Sequence, residues 1–258
     1  MKRLGVEVDT SRRKIDLLGV YVDAITQDEL FDYVSEVIRR SEKAIVANHN
    51  LHSIYLYHKR PRMREFYARA GLVHIDGMPI VYWGRLRGLP LKLEHRLAYI
   101  DFVPPLLSLA ATKGWRVYYL GGKPGVAERA ADGFRGRFPD LIIRTHDGYF
   151  DNDSDVIADI RAFGPDLLFV GMGMPRQEEW IVDNLGRLQA HVIMNCGAAF
   201  DYFAGEKPTP PRWLSGMGLE WAFRLLTEPR RLARRYLVEP WLMLPIFLRD
   251  LRSRRRGG

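Results

Sequence analysis

Asp76 closes the short apolar run LVHI and is followed by Gly77. A carboxylate at the carboxyl end of a strand can serve as a general base when a substrate hydroxyl reaches it. Aspartate is also a favoured N-cap, and a helix starting near Met78 would use it that way; local sequence alone leans to the cap. Asn48-His49-Asn50 follows another apolar run and places two amide side chains at a second strand end. Two further stretches, Gly121-Gly122-Lys123-Pro124-Gly125 and Gly171 to Glu178 (GMGMPRQE), are strand–glycine–helix transitions. There, backbone N–H groups and a helix N-terminus can approach a phosphate. Neither has P-loop spacing or the G-x-G-x-x-G pattern, and tight βα turns explain the glycines at either one equally well. His49, His52 and Glu94-His95 have no metal-ligand spacing. Asp151-Asn152-Asp153 reads as a helix cap with first-turn acids, not a metal-chelating pair. Cys196 has no neighbouring base and reads as a small buried residue. No metal and no cofactor is therefore expected.

These residues need a frame. Short apolar runs near 15–22, 44–48, 72–75, 115–120, 141–145, 166–170 and 191–195 alternate with amphipathic stretches at 26–40, 51–70, 99–113, 124–138, 154–163 and 175–185. The alternation predicts an α/β protein with a mainly parallel sheet covered on both faces. Ligands bind such sheets beyond the carboxyl ends of the strands, where the four loops lie. The segment 205–211 (GEKPTPP) cannot continue a helix or an inner strand, so a boundary falls there. Residues 1–205 form the expected core and 206–258 an appendage, with helices at 213–226, 229–238 and 240–252.

The 258 residues carry a net charge of +8, and the distribution is uneven. From Arg212 onward, 11 Arg and 4 acids give +7, with three of the six Trp: Trp213, Trp221 and Trp241. Basic and aromatic residues together point to an anionic partner. The single cysteine excludes a disulfide framework. No signal-peptide pattern and no run of ~18 apolar residues is present, so a cytoplasmic location is expected. The PWLMLPIFL stretch at 240–248 can lie in a membrane interface, with Arg249, Arg252, Arg254, Arg255 and Arg256 on anionic headgroups. A tail that binds only nucleic acid would need less apolar area, so no nucleic-acid partner is expected, nor is a dinucleotide-dependent oxidoreductase.

Read in order, Asp76-Gly77, LGGKPG (120–125), THDGYF (145–150), GMGMPRQEEW (171–180), GAAFDYFAG (197–205), PRW (211–213), GLEW (218–221) and RLLTEPRRLARRY (224–236) resemble the WecG/TagA/CpsF family of bacterial glycosyltransferases. The resemblance implies a Rossmann-like core with a small helical C-terminal appendage. It implies metal-independent, inverting transfer from a UDP-sugar to a polyprenyl-diphosphate-linked saccharide, in cell-surface or exopolysaccharide synthesis. Asp76 matches the proposed base. Asn50, Gly121, Gly122, Tyr149, Gly171, Gly173, Gln177 and Asp201 fall in motifs lining the substrate pocket. Arg224, Arg231 and Arg234 match appendage arginines that close over the diphosphate; their spacing would put them on one helix face unless Glu228-Pro229 interrupts it. Asn48 stands where members such as TagA carry threonine, and brings an amide without a hydroxyl. NHNLHS (48–53) and the stretch 83–101 are similar to the GumM-type exopolysaccharide branch, which implies UDP-glucose as donor; N-acetylmannosamine or its uronic acid is the alternative. An enzyme at the inner membrane face, as a possible homo-oligomer, is what the resemblance and the tail together imply.

Overall fold

The structure is a computed structural model and describes residues 14–211, 214 and 219–253. Trp213, Gly218, most of the PRW motif and Arg254, Arg255 and Arg256 lie outside the described residues.

Eight strands form. β1 (Lys14–Leu17) and β2 (Val20–Asp23) make an antiparallel hairpin. The sequence suggested one strand here; Leu18 and Gly19, both at positive φ, turn the chain back instead. The other six are parallel in the order β4-β3-β8-β7-β5-β6: β3 (Ala44–His49), β4 (Leu72–Ile75), β5 (Arg116–Gly121), β6 (Ile142–His146), β7 (Leu167–Gly171) and β8 (Val192–Asn195). β3, β4, β7 and β8 are buried at every residue, as strands covered on both faces must be.

Helices α1 (Gln27–Arg39), α5 (Tyr99–Lys113), α6 (Val126–Arg137) and α9 (Ala199–Phe203) pack one face around Leu30, Phe102, Leu106, Phe134 and Phe200. Helices α3 (Pro61–Arg69), α7 (Asp153–Phe163) and α8 (Arg176–Asn184) pack the other around Phe66, Ile160 and Ile181. The long helix expected over 51–70 is two, α2 (Leu51–Lys59) and α3, because Pro61 breaks the ladder and starts the second at its first position. α4 (Met78–Leu86) follows β4. After β3 the chain leaves toward the α3 face; after β8 it leaves toward the α1 face. The crevice between β3 and β8 is therefore a switch point of the sheet, as is that between β7 and β5, whose chains leave toward α8 and α6; ligands bind at such points in open α/β folds.

Residues 206–211 contain neither helix nor strand. Beyond them come α10 (Glu220–Thr227), α11 (Pro229–Ala233), a π-helical turn (Arg234–Val238), α12 (Glu239–Leu242) and α13 (Leu244–Ser253). This tail docks through fully buried Met243, with Ile246 and Phe247, onto the third apolar cluster, which holds Ile15, Leu17, Ile54, Ile75 and Met78. Asp250 pairs with Arg87 at 2.5 Å and accepts from Trp83 Nε1 at 2.6 Å.

Candidate active site at the sheet switch point

Asp76 immediately follows β4 and is half-buried. It does not cap α4: the N-cap is Gly77, with no side-chain cap bond. Its backbone N–H donates to His49 O at 2.9 Å, which fixes the turn against β3. Asn50 Nδ2 donates to Asp76 Oδ2 at 3.2 Å. Asn50 is itself held, because as N-cap of α2 its Oδ1 accepts from Ser53 N at 3.1 Å, and Ser53 Oγ accepts from Asn50 N at 2.9 Å. One carboxylate oxygen of Asp76 is thus oriented by a rigid neighbour. A carboxylate has a second oxygen to offer a substrate hydroxyl. Arg96 Nε donates to Asp76 O at 3.4 Å, and its Nη2 bonds Glu220 of α10 at 2.7 Å. The tail is tied to the Asp76 turn through this arginine.

Asn48, expected beside Asp76 in catalysis, is only 3% exposed. Its Nδ2 donates across the switch point to Asn195 O at 2.9 Å and Asn195 Oδ1 at 3.2 Å. Its own carbonyl accepts from Tyr67 Oη at 2.7 Å. In this structure Asn48 joins β3 to β8; Asn50 is the amide that touches the carboxylate. His49 is buried against Tyr67, ring on ring at 3.9 Å, and burial pushes its imidazole down to about 3, so it stays neutral. His52 pairs with Glu239 of the tail at 2.5 Å. Among the described residues, no group of three or more His, Cys, Asp or Glu could hold a metal ion.

The glycine loops meet at the ends of β5, β7 and β8. A Cβ on Gly121 would lie 2.4 Å from Gly171 O, and one on Gly171 would lie 2.6 Å from Gly197 O. Their backbone N–H groups are mostly turned inward: Gly122 N donates to Gly171 O, Gly148 N to Gly122 O, and Gly173 N and Gly197 N both to Gln177 Oε1. Of the two readings open for these loops, the tight turn accounts for Gly122 and Gly173, whose N–H groups bond within the protein. The glycines there let three loops approach one another, and Gln177, fully buried, staples two of them. Asp201 on α9 pairs with Lys207 at 2.9 Å and borders Gly122. Tyr149 stands 64% exposed at the rim.

The three tail arginines do not share a face. Glu228 ends α10 and begins α11 with non-helical dihedrals, as the sequence warned. Arg224 lies over the Tyr202 ring at 5.2 Å, and its Nε is buried with no hydrogen-bond partner. Arg231 folds back on Glu228, with bonds of 2.6 and 2.7 Å. Arg234 is exposed. Arg235 takes the expected place instead, its Nη2 donating to Asn50 Oδ1 at 3.3 Å. Burial pushes its guanidinium below the ordinary value, and the nearby Arg224 adds to this. Neither Arg224 nor Arg235 has a carboxylate within ion-pair distance among the described residues, whereas Arg87 and Arg96 do. Sequence reasoning missed Arg235 because the π turn inserts an extra residue into the helical register. The signal within reach was the Arg234-Arg235 pair itself.

An oriented carboxylate and two uncompensated guanidinium groups stand at the carboxyl ends of β3 and β4, and the glycine-built loops stand at those of β5, β7 and β8, along the same edge of the sheet. Comparison with known proteins agrees. The family model described as "Glycosyl transferase WecG/TagA/CpsF family" matches residues 15–257. A Staphylococcus aureus (strain NCTC 8325 / PS 47) protein named N-acetylglucosaminyldiphosphoundecaprenol N-acetyl-beta-D-mannosaminyltransferase is 28% identical over 264 residues, covering 98% of each chain. The protein of the same name from strain MRSA252 matches to the same extent. With nearly its whole length matched and its oriented carboxylate at the switch point, the chain belongs to the WecG/TagA/CpsF family of glycosyltransferases.

Proposed function

We propose that this glycosyltransferase moves an N-acetylmannosamine-type sugar from its UDP donor to a hydroxyl of an N-acetylglucosaminyl-diphosphopolyprenol, with inversion and without a metal. The relatives' printed activity favours this donor over UDP-glucose, the first of the two sugars weighed from sequence. The observation that carries the reading is the juxtaposition of Asp76, held by Asn50, with Arg235 on the same amide and Arg224 beside it.

Asp76 takes the proton of the acceptor hydroxyl as that oxygen attacks the anomeric carbon. The bond to the UDP oxygen breaks on the opposite side, and the departing diphosphate gains charge. Preformed cations in a half-buried site stabilise that charge more than water does, and a guanidinium fork matches phosphate oxygens. UDP-N-acetylmannosamine, its uronic acid and UDP-glucose are to be offered with a synthetic polyprenyl-diphosphate N-acetylglucosamine, and product mass read. An added N-acetylhexosamine supports the proposal; an added hexose overturns the donor. Asp76→Asn should lower turnover by ~10²–10⁴-fold while UDP affinity is kept. Near-wild-type turnover refutes the base.

The site serves a lipid-linked acceptor from a membrane surface in this reading. No helix among the described residues is long and apolar enough to cross a membrane. The tail exposes Leu237, Trp241, Leu244 and Leu248, with Trp241 75% exposed, and Arg249 and Arg252 lie beside them. That face is separate from Met243 and Phe247, which dock the tail. Wild-type protein should sediment with anionic phospholipid vesicles, and a Trp241→Glu, Leu248→Glu variant should not. Equal sedimentation overturns this part.

A further inference from the structure

Glu178 is not needed for the chemistry above, yet it sits at the centre of the site's buried polar network. It is fully buried on the first turn of α8. Its Oε1 accepts two amide donors, Gln177 Nε2 at 2.7 Å and Asn195 Nδ2 at 2.7 Å. Its Oε2 is buried with no hydrogen-bond partner. Through Asn195 the network reaches Asn48 on β3, and through Gln177 it reaches the N–H groups of Gly173 and Gly197.

Each bond runs in one direction only. Asn48 donates to Asn195, Asn195 donates to Glu178, and Gln177 donates to Glu178 while accepting from the two loops. Both chains end on one oxygen. A buried acid with one orphaned oxygen destabilises the fold relative to an apolar isostere. Burial pushes the carboxyl up to about 7, in keeping with that penalty. Such a group persists where a geometry has to be held.

From this arrangement we infer that Glu178 is a positioning residue for the transfer reaction. Its Oε1 sets the spacing of Asn195 and Gln177, and through them the spacing of the β7 and β8 loops that line the donor pocket. The inference rests on the UDP-sugar reading above. Glu178 is fully buried, so it acts through Gln177 and Asn195 and not on the donor itself. What the site requires there is an acceptor oxygen rather than a charge.

The test compares Glu178→Gln, which retains a carbonyl oxygen, with Glu178→Leu, which retains only the volume. UDP affinity is measured by calorimetry, and KM and kcat separately for donor and acceptor. Glu178→Leu should raise the UDP Kd and donor KM roughly 10–100-fold, as removal of an orienting group behind a ligand contact does. Its kcat and acceptor KM should stay near wild type. Glu178→Gln should stay near wild type in all four. Should Glu178→Leu not fold, Asn195→Ala, which removes a donor to the same oxygen, should show the same split. Unchanged UDP affinity in a folded Glu178→Leu or Asn195→Ala variant overturns the inference, as does a Glu178→Gln variant as damaged as Glu178→Leu. A folded wild-type protein that binds no UDP overturns the proposed function first, and this inference with it.

Discussion

Asp250→Ala tests whether the tail is held as a unit by the contact with α4. The carboxylate and Arg87 are 6% and 12% exposed, and the ion pair spans 2.5 Å. The same carboxylate accepts from Trp83 Nε1, and Trp83 packs edge-on against Phe247 at 4.5 Å. Truncation removes little apolar area but leaves a buried guanidinium and an indole N–H without their partner. Breaking a buried pair from one side typically costs ~3–5 kcal/mol. Asp16 moderates the loss. Its carboxyl lies near both groups, raised by burial and by Asp250 and lowered by Arg87, so it can take over part of the pairing once Asp250 is gone. The low end, about 3 kcal/mol, or roughly 10²-fold in the docking equilibrium, is the expected effect.

Hydrogen exchange read by mass spectrometry measures that opening segment by segment. Amides of α13 should lose about 3 kcal/mol of protection, while those of β5 and β7, inside the parallel sheet, should keep theirs. Replacing the pair by apolar residues (Arg87→Met with Asp250→Leu) should restore most of the protection. Unchanged α13 exchange refutes the electrostatic account. Equal loss in β5 and β7 refutes the idea that the tail opens as a separate unit.

Two further outcomes follow from the site. Arg224→Ala should reduce kcat/KM at least 10-fold without a change in core melting, whereas Arg234→Ala, at an exposed position, should stay within about 3-fold; the reverse order in steady-state assays refutes the placement of the arginines. Burial pushes the Glu178 carboxyl up to about 7 when folded, against an ordinary 4.5. Between those values the folded state binds more protons than the unfolded state, so this carboxyl removes stability as pH rises from about 4.5 to 7, on the order of 3 kcal/mol in all. His49 and His74, buried and lowered to about 3 and about 4, act the opposite way and gain stability as pH rises toward 6.5. The Glu178 contribution therefore shows as the difference between Glu178→Gln and wild type, with the variant gaining relative stability from pH 4.5 to 7 in denaturant titrations; a pH-independent difference refutes it.

The parallel sheet was legible because its strands begin as short apolar runs that are buried on both faces, and the candidate site loops were legible because they fall at strand ends. Asp76 was legible as a position but not as a role. Cap and base look alike in sequence; Gly77 as the N-cap sets the cap aside, and the Asn50 bond orients the carboxylate. The glycines left two readings open. Gly122 and Gly173 suggested phosphate-facing amides, yet a Gln four residues downstream of Gly173 closes that loop from within. Such a contact depends on a side-chain direction that no spacing encodes.

The tail shows the same limit from the opposite side. A heptad-like spacing of Arg224, Arg231 and Arg234 predicts one face only if the helix is continuous. Pro229 breaks it, and the π turn then advances the register by a residue, which brings Arg235 to Asn50 and leaves Arg234 in solvent. The physical requirement was met all the same. Two cations stand beside a carboxylate at the switch point, and the tail holding them is fastened by His52–Glu239, Arg96–Glu220 and Arg87–Asp250. Each of those three pairs joins a core residue to a tail acid. Three of the four acids that follow Arg212 are therefore its attachment points, and the fourth, Glu228, pairs within the tail, with Arg231, and with Lys207 at 3.9 Å. Under the proposed function, Arg224 and Arg235, which pair with no acid among the described residues, are the cations left for the departing diphosphate.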